Sequence, residues 1–180
     1  MAFRVRMATV ADAGAIARVQ VASWKTTYRG IVPDAFLAAM DVEVREQRWR
    51  KQLEAVQSLS FVAETGDEVV GFVSGGALRG VFSGYDAELY AIYLIKEWQG
   101  RGAGVALVRE LAKGLKAVGF GGMAVWVLAE NPAVGFYKRL GARAISGKMI
   151  AIGGIRLAEL ALGWSSLDDL TKDRDRGTRE

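Results

Sequence analysis

A glycine-rich turn, QGRGAG at residues 99–104, follows a β-rich run and precedes an amphipathic one. At the start of a helix several backbone N–H groups lack partners and the dipole end is partly positive, so a loop without side chains lets a phosphate approach closely. The spacing narrows the anion. A dinucleotide turn of the form G-x-G-x-x-G would need glycine where Val105 stands, and a mononucleotide loop would need Gly-Lys-Ser/Thr where the chain has Gly104, Val105 and Ala106. The alternative to an anion site is a glycine turn that simply lets strand and helix pack tightly.

The residue inventory restricts the chemistry further. Cysteine and histidine are both absent, which removes disulfides, thiolate nucleophiles, Ser/His and Cys/His triads, and zinc sites of the usual ligand sets. Proton transfer therefore falls to carboxylates, tyrosine, lysine or the backbone, and no metal is expected. The net charge of +4 is scattered rather than gathered into a tract, so it suits an anionic cofactor and does not call for nucleic acid.

These groups must be positioned by a chain of 180 residues, half of them hydrophobic, with two prolines. That is the profile of one compact domain, expected over residues 1–164, with a polar, disordered tail at 165–180. No apolar run approaches the roughly 20 residues of a membrane span, and the N-terminus alternates Arg4 and Arg6 with apolar residues. A cytoplasmic protein with no membrane partner is expected.

Residues 3–7 read as a strand, and Thr9 with Asp12 as a helix cap. A helix carrying Ile16, Val19 and Trp24 follows, then a bend at Tyr28, Arg29, Gly30 and Pro33, then helical pieces at 34–40 and 43–56. Runs 61–64 and 69–77, joined by Gly66 and Asp67, form a hairpin. Residues 88–95 are a strand, 105–118 an amphipathic helix, 123–128 a buried strand and 131–140 a helix ended by Gly141. Two closing strands, 144–152 and 155–162, meet at Gly153 and Gly154.

With the turn in this setting, Gln99-x-x-Gly102-x-Gly104 resembles the Q/R-x-x-G-x-G/A signature of GNAT acetyltransferases. The likeness extends through ELYAIYLIKEWQGRGAGVALV and NPAVGFYKRLGA to roughly residues 3–163. It implies an α/β (α+β) fold with a mixed, mostly antiparallel sheet of six to seven strands, splayed between strands four and five, and helices on both faces. It also implies acetyl-CoA as co-substrate and transfer of acetyl to a primary amine, a small molecule or a peptide N-terminus, with a homodimer compatible. Transfer of another acyl group, or a non-catalytic acyl-CoA-sensing module, is the alternative.

Residue by residue, the resemblance implies backbone contacts from Leu94, Ile95 and Lys96 to the pantetheine arm. Amides of Gln99, Gly100, Arg101, Gly102, Ala103 and Gly104 would grip the pyrophosphate, and the Leu94 N–H would meet the thioester carbonyl. Lys96 stands where proline is common in the family. Tyr137 matches the tyrosine that faces the sulfur and can protonate the leaving thiolate; its other reading is a packed helix residue. Asn131 matches a pantetheine contact and is equally natural as a helix cap.

An alkylamine is mostly protonated at neutral pH, so transfer needs a base or a water relay. Glu88, Tyr90 and Leu94 fall on one face of a strand by the period of two. Glu88 acting through water is the candidate base, against a salt-bridged strand-end glutamate. Tyr28, exposed at the bend, joins Glu88 and Tyr90 as a candidate acceptor-site residue, while Trp24 reads as core.

Overall fold

The computed structural model describes residues 2–55 and 57–172, so the last residue of the helix expected at 43–56, Val56, lies outside it. Seven strands form one sheet: β1 (Arg4–Met7), β2 (Leu59–Thr65), β3 (Glu68–Phe82), β4 (Tyr85–Leu94), β5 (Met123–Leu128), β6 (Arg143–Ile152) and β7 (Ile155–Trp164). Their order is β1-β2-β3-β4-β5-β7-β6, and the β4–β5 pair is parallel whereas the others are antiparallel. Six helices are described: α1 (Ala13–Thr27), α2 (Asp34–Ala38), α3 (Val42–Glu54), α4 (Ala103–Ala117), α5 (Ala133–Arg139) and α6 (Asp168–Thr171).

Helices cover both faces because the strands bury both. Leu107, Leu111 and Leu115 of α4 pack with Ala87, Leu89, Val125 and Leu162. On the other face, Ile16 and Val19 of α1 and Trp49 of α3 pack with Val62 and Phe72. The rings of Trp49 and Phe72 meet edge-on at 5.0 Å, an arrangement favoured by the ring quadrupoles. The β3–β4 hairpin is longer than expected: it runs to Phe82 and restarts at Tyr85, with irregular pairing between Ala77 and Phe82.

The parallel ladder between β4 and β5 is short: Ala87 pairs with Met123, Glu88 with Ala124 and Leu89 with Val125, and beyond that the strands part. The cause lies on the other edge of β4. Ser74 pairs with Ala91 but Gly75 with Leu89, so Tyr90 is an extra residue, a β-bulge that bends the strand away from its neighbour.

The bulge also corrects one expectation. Ala87, Leu89, Ile92 and Leu94 join the α4-side core, while Ala91 and Tyr93 pack on the α1 side. Period-two counting fails across an inserted residue, so Leu94 does not share the face of Glu88 and Tyr90.

The tail expected to be disordered from residue 165 is corrected over its first part. Leu167 and Leu170 are buried in the α4-side core, the Leu167 N–H donates to the Gly121 carbonyl at 2.8 Å, and Asp168 pairs with Lys116. Two leucines on one turn suffice to dock a stretch whose average composition is polar. Residues 173–180 lie outside the described ones.

Arg6 ties the N-terminal strand to the start of α1. Its guanidinium donates to both Asp12 oxygens at 2.8 Å and to Glu64 at 2.6 Å, and Asp12 also accepts from the Thr9 N–H at 2.7 Å. Hydrogen bonding from Arg6 holds the Asp12 carboxyl below its ordinary range. A depressed carboxyl contributes stability above its unfolded value that is lost as pH falls through the folded one. Asp12→Asn is therefore expected to cost about 1.5–3 kcal/mol at neutral pH, the worth of a hydrogen bond to a charged group. It should also flatten the loss of stability below pH about 4; denaturant melts at several pH values check both.

Candidate active site

Where β4 and β5 part, a cleft of about 750 Å³ opens between the ends of α1, α4 and α5. After Leu94 the chain makes one 3-10 turn, Lys96–Trp98, anchored by buried Trp98. The Ile95 N–H donates to Val70 of β3 at 3.0 Å. Backbone groups alternate sides along a strand, so the peptide edge of Leu94 points to the open side. Its carbonyl accepts from Ser23 Oγ at 2.9 Å and from Gln99 Nε2 at 3.2 Å. Gln99 thereby braces the turn against the strand through its side chain, a role the motif spacing does not reveal.

The turn itself has Gly100 at φ 72° and Gly102 at φ 88°. Gly102 caps α4, and its carbonyl accepts from the Ala106 N–H at 3.0 Å. The N–H groups of Ala103, Gly104 and Val105 precede that first helical donor, so the helix supplies them no acceptor. Nothing lies within 4 Å of a Cβ built on Gly100 or Gly102, so the space above the turn is open. Lys96 and Arg139 stand on the cleft wall.

Asn131 fulfils the cap reading: its Oδ1 accepts from the Ala133 N–H at 2.8 Å, while its Nδ2 donates to the Tyr28 hydroxyl at 3.0 Å. It also borders the cleft. Tyr137 is buried, its ring 5.4 Å from Phe136 and 6.0 Å from Trp164, beneath the cleft rather than among the residues lining it. Burial pushes its phenol pKa up, as it does those of Tyr28 and Tyr93. Tyr28 is 7% exposed, not exposed as expected, because Trp24 covers it with ring centroids 4.4 Å apart.

A second pocket, of about 170 Å³, lies on the α1 side and shares Tyr93 with the first. Glu88, Tyr90 and Tyr28 border it, together with Trp24, Trp126 and Glu159. Glu88 is 2% exposed and bound twice by Arg79: its Oε2 accepts from the Arg79 N–H at 3.0 Å and its Oε1 from the guanidinium at 2.6 Å. That guanidinium lies 4.2 Å from the Tyr90 ring centre. The salt-bridged reading of Glu88 is thus what the structure contains.

Residues 23–142 match the model of the acetyltransferase (GNAT) family. The chain belongs to that family. It is similar to the uncharacterized N-acetyltransferase YuaI of Bacillus subtilis, 38% identical over 166 residues that span 92% of this chain and 95% of that one. Two solved structures share the GNAT fold. The PaiA N-acetyltransferase of Thermoplasma acidophilum, in complex with coenzyme A, is 20% identical with a TM-score of 0.71 over 91% of this chain and 98% of its own. YncA of Salmonella typhimurium, with its cofactor acetyl-CoA, is 21% identical with a TM-score of 0.68 over 93% and 95%. The splayed seven-stranded sheet is the fold expected from the resemblance.

In this GNAT N-acetyltransferase the structure brings Leu94, Lys96, Gln99, Gly100, Gly102, Gly104 and Asn131 onto one cleft, and Tyr28, Glu88 and Tyr90 onto the adjoining pocket. Sequence reasoning missed Ser23, Arg79, Tyr93, Trp126, Arg139 and Glu159. Ser23 carries no local signal. Glu159 does: a lone acid inside the apolar strand IRLAELALGW is the buried-charge pattern that marks sites.

Proposed function

We propose that the chain transfers acetyl from acetyl-CoA directly to a primary amine while both are bound. The observation that carries this reading is the junction at Tyr93, where a long cleft ending on a helix N-terminus meets a separate pocket lined by carboxylates and aromatic rings. The residues fit an anionic thioester: free amides over an open turn, two cations on the wall, and a strand edge running from them towards the second pocket. Bound acetyl-CoA supplies an acyl group activated as a thioester.

The amides of the turn hold the pyrophosphate, and the Leu94 N–H sits where negative charge grows on the thioester oxygen. The C–N bond forms as the C–S bond breaks; the amine gives up a proton and the departing thiolate takes one. Tyr137, whose raised pKa keeps its proton on the phenol across the neutral range, serves as the donor. Each Glu88 oxygen keeps a lone pair beyond its bond to Arg79, enough to order a water that takes the amine proton while passing one of its own to the Glu88 carboxylate. Direct transfer is supported by an inventory that lacks cysteine and has no histidine to activate a serine.

The test is release of free CoA thiol from acetyl-CoA with a panel of amines. Thiol release should need both substrates, with intersecting initial-rate plots; ping-pong kinetics would overturn direct transfer. In Glu88→Gln kcat should fall with the KM for acetyl-CoA unchanged, and an unaltered kcat would remove Glu88 as the base.

A further inference from the structure

The walls of the second pocket are unequal in charge. Among the described residues its charged members are Arg79, Glu88 and Glu159, and Arg79 is committed to Glu88 by two bonds. The Glu159 carboxylate, whose side chain is 17% exposed, pairs instead with Lys148 Nζ on the neighbouring strand at 3.4 Å, longer than a good charged hydrogen bond, and feels the Arg79 guanidinium only at longer range. The same ammonium lies 3.9 Å from the Trp126 ring centre and its side chain is 49% exposed. The protein's own lysine thus marks a seat for a cation, a carboxylate beside an aromatic face, at the rim of the pocket.

A carboxylate there is not explained by the reacting nitrogen, which must be neutral when it attacks. It complements a charge that persists through the reaction. We infer that the acceptor is a small aliphatic amine with a second cationic group, such as a diamine, whose far ammonium binds Glu159 over Trp126 while its near nitrogen reaches Tyr93. This rests on the amine-acetylation reading above, and Lys148 acts as the displaceable occupant of the seat.

The experiment compares 1,4-diaminobutane with pentylamine, equal in chain length but unequal in charge. The readouts are thiol release with acetyl-CoA and tryptophan-fluorescence titration with each amine alone. The wild-type chain should favour the diamine by about 10- to 100-fold in kcat/KM, the range of one charged hydrogen bond. In Glu159→Gln, with folding checked by circular dichroism, that ratio should fall to near one. Lys148→Gln, which vacates the seat, should bind diaminobutane several-fold more tightly, and this variant decides the matter if Glu159→Gln does not fold.

Equal use of the two amines, a ratio unmoved by Glu159→Gln, or an unchanged affinity in Lys148→Gln would each overturn the inference while leaving acetyl transfer standing. If no amine releases thiol but diaminobutane still binds through Glu159, the transfer reading falls and the cation seat stands.

Discussion

Gly102→Asp is expected to lose acetyl-CoA binding by on the order of 100-fold relative to Gly102→Asn. Both side chains are among the few that tolerate the left-handed backbone Gly102 adopts at φ 88°, and nothing within 4 Å obstructs a Cβ there. The two variants therefore share their backbone strain, and the difference between them isolates charge. A carboxylate about 5 Å from a phosphate, at an effective dielectric of about 20, is repelled by about 3 kcal/mol. Calorimetric titration with CoA checks it, and equal affinities for the two variants would mean that the turn does not face the pyrophosphate. Gly104→Ala is the companion control: its Cβ would meet Phe136 and Leu94 at 3.4 and 3.5 Å, ordinary contact, so binding should persist.

Tyr137→Phe is expected to lower kcat by on the order of 100-fold, the usual worth of a positioned proton donor, with the KM for acetyl-CoA unchanged. Phenylalanine keeps the ring and removes only the hydroxyl, so the rest of the binding surface is intact. The ring contacts with Phe136 and Trp164 survive in phenylalanine, so stability should change little. Burial raises the phenol, and a raised acid keeps its proton as pH climbs past the ordinary tyrosine value near 10. The wild-type kcat should accordingly show no alkaline fall due to Tyr137 below that value. Thiol-release rates across pH measure both, and an unchanged kcat in the variant would remove Tyr137 from the chemistry.

Much of this was legible in the residues alone. The glycine turn between strand and helix announces a phosphate cradle because backbone amides need only their neighbours to be arranged, and a short motif carries that information whole. The absence of cysteine and histidine limits the chemistry before any fold is known. The core faces of α1, α4 and the strands were readable because burial imprints a period, 3.6 or 2, on consecutive residues.

What the tertiary structure decided are features that depend on residues far apart in the chain. One inserted residue, Tyr90, moves Leu94 off the face of Glu88, and pairwise register is visible only once β3 is docked beside β4. Glu88 reads either as a base acting through water or as a salt-bridged glutamate until Arg79 is found bound to it across the hairpin. Tyr28 reads as exposed until Trp24 covers it, and residues 165–172 read as tail until Leu167 and Leu170 dock on the core. The second pocket draws on α1, β3, β4, β5, β6 and β7 together. Local sequence determined the glycine turn proposed to hold a phosphate, because such a contact is made by adjacent amides. Packing decided what the neighbouring pocket will accept, because its carboxylates and rings meet only when distant strands are brought side by side.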